Sequence, residues 1–67
     1  MDTETLLRIE APHFCAGIVT RGPPHQVVLA APIVRYMLGW NPERVVQYSL
    51  GKGWDCHLVT IKPFQQK

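Results

Sequence analysis

Residues 31–53 read APIVRYMLGWNPERVVQYSLGKG, and this stretch decides which fold the sequence predicts. On either side of it apolar residues recur at every second position, which is typical of strands, whereas inside it they recur at helical spacing. Four apolar residues share the first helical stripe: Ile33, Val34, Met37 and Leu38. Pro32 suits the first turn of a helix, and Gly39 is the expected end of this short first helix.

A second helix is predicted to begin at Asn41-Pro42-Glu43. Asn is a preferred N-cap residue, and Pro in the first helical position has its backbone angle already set. Glu43 in the first turn complements the helix dipole. The helix is expected to cover residues 42–50. Because only a short turn containing Gly39 separates the two predicted helices, they resemble a helix-turn-helix pair.

Alternating apolar and polar residues predict four strands, at 5–10, 14–20, 26–30 and 55–61. The predicted fold class is therefore α+β, in the order β-β-β-α-α-β. In it a small antiparallel sheet carries a short helix-turn-helix pair packed on one face. The chain of 67 residues is long enough for one domain, residues 1–67, in which residues 63–67 are expected to be a frayed tail.

Composition narrows the classes of protein that fit. A hydrophobic fraction of 46% is that of a folded chain and argues against intrinsic disorder. The acidic start at Asp2 and Glu4 is unlike a signal peptide, and no apolar run approaches the length of a membrane span, so a cytoplasmic location is predicted. Residues 31–67 hold five Lys and Arg against two acids, a modest basic excess that suits an acidic protein or a nucleic acid.

The candidate binding residues are basic, aromatic or amide side chains on or beside the two predicted helices. They are Arg35, Tyr36, Arg44, Gln47, Tyr48 and Lys52. Tyr and Arg are enriched at the centres of protein interfaces, which favours a protein partner. Arg44 and Gln47 are also side chains that read base edges, so nucleic-acid binding through residues 42–50 is the alternative. The ordinary interpretation of such a face is a solvated helix surface without function.

Metal and catalytic sites are weakly indicated, and no cofactor is predicted. The pairs His13–Cys15 and Cys56–His57 offer zinc-ligand types, but neighbours in a strand point to opposite faces and the usual spacing is missing. His13, Cys15 and Asp55 could be imagined as a nucleophile with its base, yet no phosphate loop or paired acidic motif accompanies them. A disulfide between the two cysteines would require adjacent strands and is not expected in a reducing compartment. The chain is therefore predicted not to be an enzyme.

Four stretches together resemble short uncharacterised proteins encoded by tailed bacteriophages and prophages. They are residues 11–17 (APHFCAG), 31–40 (APIVRYMLGW), 44–48 (RVVQY) and 52–54 (KGW). This resemblance covers most of the chain from Ala11 to Trp54 and implies a phage origin without a mechanism. The leading hypothesis is a phage-type accessory protein that binds a host or phage protein in the host cytoplasm. Nucleic-acid binding is second, and a self-associating structural protein, a possible homodimer, is third.

Overall fold

Four antiparallel strands form one sheet, and two helical segments cover one of its faces. The computed structural model describes residues 3–63. The strands are β1 (Thr3–Glu10), β2 (Cys15–Gly22), β3 (Gln26–Ala30) and β4 (Asp55–Pro63), and their order across the sheet is β3-β2-β1-β4. A 3₁₀ helix (Pro32–Met37) and one α-helix, α1 (Pro42–Gly51), connect β3 to β4.

The core lies between the helical segments and the face of the sheet that we call the inner face. The sheet contributes Leu7, Ile9, Ala16, Ile18 and Val27, and the helical segments contribute Val34, Met37 and Val45. Because side chains alternate along a strand, the residues between these, among them Leu6, Arg8 and Val19, lie on the opposite, outer face. No helical segment within residues 3–63 packs on that outer face, so one side of the sheet is covered and the other is open.

The predicted helix-turn-helix pair is wrong, because the first of its two helices is a 3₁₀ helix. Val34 has non-helical backbone angles (φ −119°, ψ 24°) inside this segment, and Ala31 at its start offers no side-chain cap. Only six residues are available, and two neighbours, Ile33 and Val34, are β-branched, which disfavours a continuous α-helix. The order β-β-β-α-α-β is therefore corrected to three strands, a 3₁₀ helix, one α-helix and a fourth strand.

The second predicted helix and the strands agree more closely with the sequence pattern. Helix α1 begins as expected: the Asn41 side-chain oxygen accepts a hydrogen bond of 2.7 Å from the Arg44 backbone N–H. The third strand matches its predicted bounds. The first begins two residues earlier than predicted, and the second begins and ends later, at Cys15 and Gly22.

The predicted tail contains one residue that belongs to the sheet. Pro63, expected to be frayed, is the last residue of β4 and lies opposite Thr3 of β1. Proline is tolerated there because the strand is at the edge of the sheet, where a missing N–H leaves no ladder bond unmade. The rest of that predicted tail, residues 64–67, lies outside the described residues.

Candidate binding surface

Five aromatic rings from five separate segments meet at one end of the helical layer. We call Phe14, Tyr36, Trp40, Tyr48 and Trp54 the aromatic cluster. Tyr48 of α1 is at its centre, with ring centroids 5.7 Å from Tyr36, 5.4 Å from Trp40 and 5.8 Å from Trp54. Tyr36 and Trp40 are 5.8 Å apart, and Phe14 is 5.0 Å from Trp54. All five pairs are edge-to-face, the arrangement worth roughly 0.5–1.5 kcal/mol per pair beyond area burial.

The turn that carries Trp40 is fixed to the edge of the sheet by backbone hydrogen bonds. The N–H of Val27 donates to the Trp40 carbonyl at 2.8 Å, and the N–H of Gly39 donates to the Val27 carbonyl at 2.9 Å. Gly39 has a φ of 86°, a conformation that disfavours any residue with a Cβ. Because these bonds hold the turn against β3, Trp40 has a defined position between the 3₁₀ helix and α1.

Two exposed cations lie over rings of the cluster. The guanidinium carbon of Arg44 is 4.0 Å from the Trp40 ring centroid, and the ammonium nitrogen of Lys52 is 5.5 Å from that of Tyr48. Both distances are within the range of cation–π attraction. The stacking restricts two long side chains that would otherwise be free in solvent. The positive charges of Arg44 and Lys52 are therefore held at fixed places beside the aromatic cluster.

The geometry of the 3₁₀ helix divides its side chains into buried and exposed rows. With three residues per turn, residues i and i+3 lie one above the other. Val34 and Met37 form the buried row, while Ile33 and Tyr36 form an exposed row, with 56% and 48% of each residue accessible. Tyr36 therefore belongs both to the exposed row and to the aromatic cluster. We call the resulting area the Tyr36 surface: Ile33, Tyr36, Trp40, Arg44, Tyr48 and Lys52.

The hydroxyl of Tyr36 stays protonated over the whole physiological range. Although almost half of the residue is accessible, desolvation is the largest cause that raises the pKa of Tyr36 to about 12. The neighbouring Tyr48 hydroxyl raises the pKa further. Tyr36 is therefore a neutral group with one apolar face and a hydroxyl that can donate.

Four of the six predicted binding residues belong to the Tyr36 surface. Tyr36 and Tyr48 are in direct ring contact, and Arg44 and Lys52 join them through the rings they cover. Gln47 is directed elsewhere on α1, where its amide approaches the Glu43 carboxylate at 3.5 Å. Arg35 is exposed at the end of the 3₁₀ helix and makes no ring contact within residues 3–63.

Sequence reasoning left out Trp40, which connects Tyr36 to Arg44. In the structure Trp40 is partly buried and packs against the core. The signal that could have placed it at the surface is the four-residue spacing from Trp40 to Arg44, which brings a cation over a ring at the start of a helix.

The catalytic and disulfide arrangements that the sequence allows do not form. Cys15 and Asp55 are opposite the two sides of Glu10, on strands separated by β1, which puts their backbones about 10 Å apart. Both cysteines are free; Cys15 is on the outer face and Cys56 on the inner face. Burial raises the pKa of the Cys56 thiol, a change that the nearby Ser49 hydroxyl partly opposes.

The outer face holds one group of side chains that could offer metal ligands. Atoms of Glu10, Asp55 and His57 lie within 4.8 Å of one another, and all three residues are exposed. His57 Nδ1 is 3.9 Å from the Glu10 carboxylate and 3.8 Å from that of Asp55. Arg8 is directly opposite His57 in the sheet, and its Nε donates to Cys15 Sγ on the other neighbouring strand at 3.0 Å. Exposed acidic groups of this kind are common without an ion, and the cluster shares only His57 with the zinc pairs considered from the sequence.

A shallow depression on the outer face is too small for most ligands. Its volume is about 190 Å³, below the range of roughly 300–1,000 Å³ typical of small-molecule sites. At its rim Glu4 is bonded to Arg21 at 2.8 Å and to Lys62 at 3.3 Å, and these two cations hold the pKa of Glu4 below its usual value. The carboxylate is thus already neutralised by the chain itself.

Comparison of the chain with protein-family models, with curated proteins and with solved structures gives no match. The phage resemblance therefore stays a prediction. Neither helical segment in residues 3–63 combines the length and the apolar character that crossing a membrane requires.

Proposed function

We propose that this protein is a binding module that docks a protein partner on the Tyr36 surface. The observation that carries the proposal is Tyr36 itself: an aromatic residue 48% exposed, in edge contact with Trp40 and Tyr48. Binding an anchor that is already held in place costs less conformational entropy than ordering a free side chain. Tyr, Trp and Arg are also the residues that most often carry interface energy.

The surroundings of the anchor support a protein partner of mixed chemistry. Ile33 adds apolar area next to Tyr36, and Arg44 and Lys52 lie at fixed places on the other side. An apolar centre with charged flanks is the composition expected of a docking surface. The helical layer from 31 to 53 carries Arg35, Arg44 and Lys52 against one acid, Glu43, so an acidic partner segment fits best.

Nucleic-acid binding through residues 42–50 is the weaker candidate. The helix-turn-helix pair that would present these residues to DNA does not form in this chain. Moreover Arg44, which could read bases, is stacked on Trp40, and Gln47 is turned toward Glu43. A phosphate backbone would still be attracted by the basic helical layer, and affinity of that kind would fall steeply with salt.

The test compares matched variants as baits in lysate from the source cell. Tyr36→Ala is expected to lose a specifically retained protein, with affinity reduced at least about 30-fold if Tyr36 is a hot spot. Tyr36→Phe, which keeps the ring contacts, is expected to retain most of the binding. Thr60→Ala on the outer face is the control, because it leaves the Tyr36 surface unchanged.

Two outcomes would contradict the proposal. Equal retention by wild type and Tyr36→Ala would remove the surface from consideration. Fluorescence anisotropy with random duplex and single strands at low salt would support the nucleic-acid alternative if binding appears and Arg44→Ala abolishes it. The further proposals of a phage accessory role and a cytoplasmic location depend on which cell supplies the partner; two free thiols suit a reducing compartment.

A further inference from the structure

Strand β4 is the open edge of the sheet. It pairs with β1 on one side, and no other strand within residues 3–63 lies along its second side. The opposite edge, β3, has five residues and is occupied at Val27 by the backbone of Gly39 and Trp40. Strand β4 has nine residues. Its row of backbone N–H and C=O groups is the longest in the described chain that is available to another strand.

The exposed edge is also apolar. Leu58, Val59 and Ile61 are 49%, 50% and 60% accessible. Leu58 and Ile61 lie opposite Leu7 and Thr5 and so belong to the inner face, where the helical layer covers Cys56 but not the strand beyond it. Three large exposed apolar side chains on an edge strand mark a candidate interaction surface.

A bulge at the middle of β4 makes the strand nearly symmetric in charge. Leu58 is opposite Leu7 and Thr60 is opposite Leu6, so Val59 is the extra residue. On either side of Leu58 and Val59 lie three residues paired with β1, residues 55–57 and residues 60–62. Consider two copies of β4 paired antiparallel about a two-fold axis that passes through the bulge, perpendicular to the sheet. Asp55 of each copy would then lie opposite Lys62 of the other, which gives two such pairs.

The same axis matches the faces of the sheet as well as the charges. Asp55 and Lys62 both lie on the outer face, and Cys56 and Ile61 both lie on the inner face, so each residue meets a partner on its own side. His57 would face Thr60. Opposite charges directly across an antiparallel pair are favourable, and like charges are unfavourable.

We propose that the occupant of this edge is β4 of a second copy, which extends the sheet to eight strands across a two-fold axis. Lys62 and Pro63 are residue types that disfavour the pairing of a further strand at an edge. In the paired register Lys62 instead lies between Glu4 of its own copy, 3.3 Å away, and Asp55 of the other. The charge pattern therefore selects a second copy of this chain over other strands.

Exchanging the two charges tests the register. The oligomeric state of the full chain is measured by sedimentation velocity from about 1 to 200 µM, the range in which weak dimers of this kind dissociate. Wild type is expected to dimerise. Asp55→Lys and Lys62→Asp each place like charges at both junctions and are expected to weaken dimerisation about tenfold or more. An equimolar mixture of the two variants restores opposite charges at both junctions, so a mixed dimer is expected to form.

Three results would overturn the inference. The first is a wild-type monomer at every concentration. The second is a dimer that both single variants leave unchanged and whose mixture shows no preference for the mixed species. The third is a dimer that Tyr36→Ala dissociates, since this would assign self-association to the Tyr36 surface. Circular dichroism of each variant separates loss of pairing from loss of folding.

A cysteine crosslink measures the register independently. The variant Ile61→Cys is made in a Cys15→Ser background, and its new thiol lies opposite Cys56 of the second copy. Opposed residues of antiparallel strands have Cα atoms about 4.5–5.5 Å apart, a separation that a disulfide can span. Mild oxidation is expected to give a covalent dimer on a non-reducing gel. Thr60→Cys in the same background faces the outer side and is the control expected to stay uncrosslinked. Equal crosslinking of both variants, or of neither while the dimer persists, would contradict the register.

Discussion

Thr20→Val is expected to stabilise the protein, because the Thr20 hydroxyl in the core has no hydrogen-bond partner among residues 3–63. The residue is completely buried, and its Oγ1 makes no hydrogen bond within residues 3–63. It lies on the inner face of β2 between Thr5 of β1 and Val27 of β3. Valine has nearly the same shape and suits a strand equally well, so the substitution changes little besides the hydroxyl.

The expected gain follows from the desolvation of that hydroxyl. A buried polar group without a hydrogen bond costs about 1–3 kcal/mol in the folded state. Replacing it with a methyl group removes the cost and adds apolar burial, so the free energy of unfolding should rise by about 1–2 kcal/mol. In a domain of this size each kcal/mol corresponds to roughly 4–8 °C in Tm. Thr5→Val on the neighbouring strand is the control, because Thr5 is partly accessible and the change should stay within about 0.5 kcal/mol.

Urea unfolding followed by the fluorescence of Trp40 and Trp54 measures the difference. All variants are compared at one protein concentration, because dimerisation would contribute to stability. A higher midpoint with an unchanged slope against urea would agree with the argument. If Thr20→Val is less stable than wild type by more than about 0.5 kcal/mol, the hydroxyl is hydrogen-bonded in solution and the argument is refuted.

Three further predictions concern the local structure. Asn41→Ala removes the side chain that accepts from the Arg44 N–H, and is expected to lower the free energy of unfolding in urea by about 1 kcal/mol. Asn41→Asp keeps an acceptor oxygen and should retain most of that stability. Equal losses in the two variants would contradict the cap. Gly39 has a φ of 86°, so Gly39→Ala is expected to destabilise the protein by about 1 kcal/mol. Gly51 lies in open space at the end of α1, so Gly51→Ala should be neutral or stabilising. A Gly51→Ala variant less stable than Gly39→Ala would refute this reasoning. Arg21 and Lys62 lower the folded pKa of Glu4 from 4.5, so the stability Glu4 contributes is present above pH 4.5 and is lost as the pH falls through the folded value. Glu4→Gln should therefore flatten the loss of thermal stability below that pH, and an identical acid limb in both proteins would count against the ion pairs.

The parts of the fold that the sequence predicts are those with local causes. Asn41, Pro42 and Glu43 act within one turn of α1, and the helix begins where they place it. Strict alternation identifies strands in the same way, since every second residue is buried wherever one face is covered. These signals depend on neighbours in the chain and on nothing distant.

The first helix was predicted wrongly because six residues do not distinguish two helical periods. Val34 and Met37 are three apart and fit a helix of 3.0 residues per turn. Ile33 and Met37 are four apart and fit one of 3.6. The sequence offers both sets of apolar residues, and the choice is made by packing on the sheet, which buries Val34 and Met37 completely.

The candidate site was partly predictable for a related reason. Arg44 and Tyr48 are on one helix, so their common face can be read from spacing. Their neighbours in the structure, Tyr36 and Trp54, come from other segments and meet them only through the tertiary fold. The edge position of β4 is equally non-local, because strand order depends on pairing with β1, almost fifty residues away.

The backbone bonds between Val27 and the Gly39–Trp40 turn set a limit on the size of any assembly. A sheet with two free edges can add copies at both ends and grow into a fibre. In a sheet with a single free edge, the first partner pairs with that edge and none remains for a further copy. Two copies joined through β4 would leave the two β3 edges facing outward, each five residues long and bonded at Val27 to the Gly39–Trp40 turn. Growth beyond a pair would therefore be disfavoured, which favours a dispersed protein over a polymer despite its apolar edge.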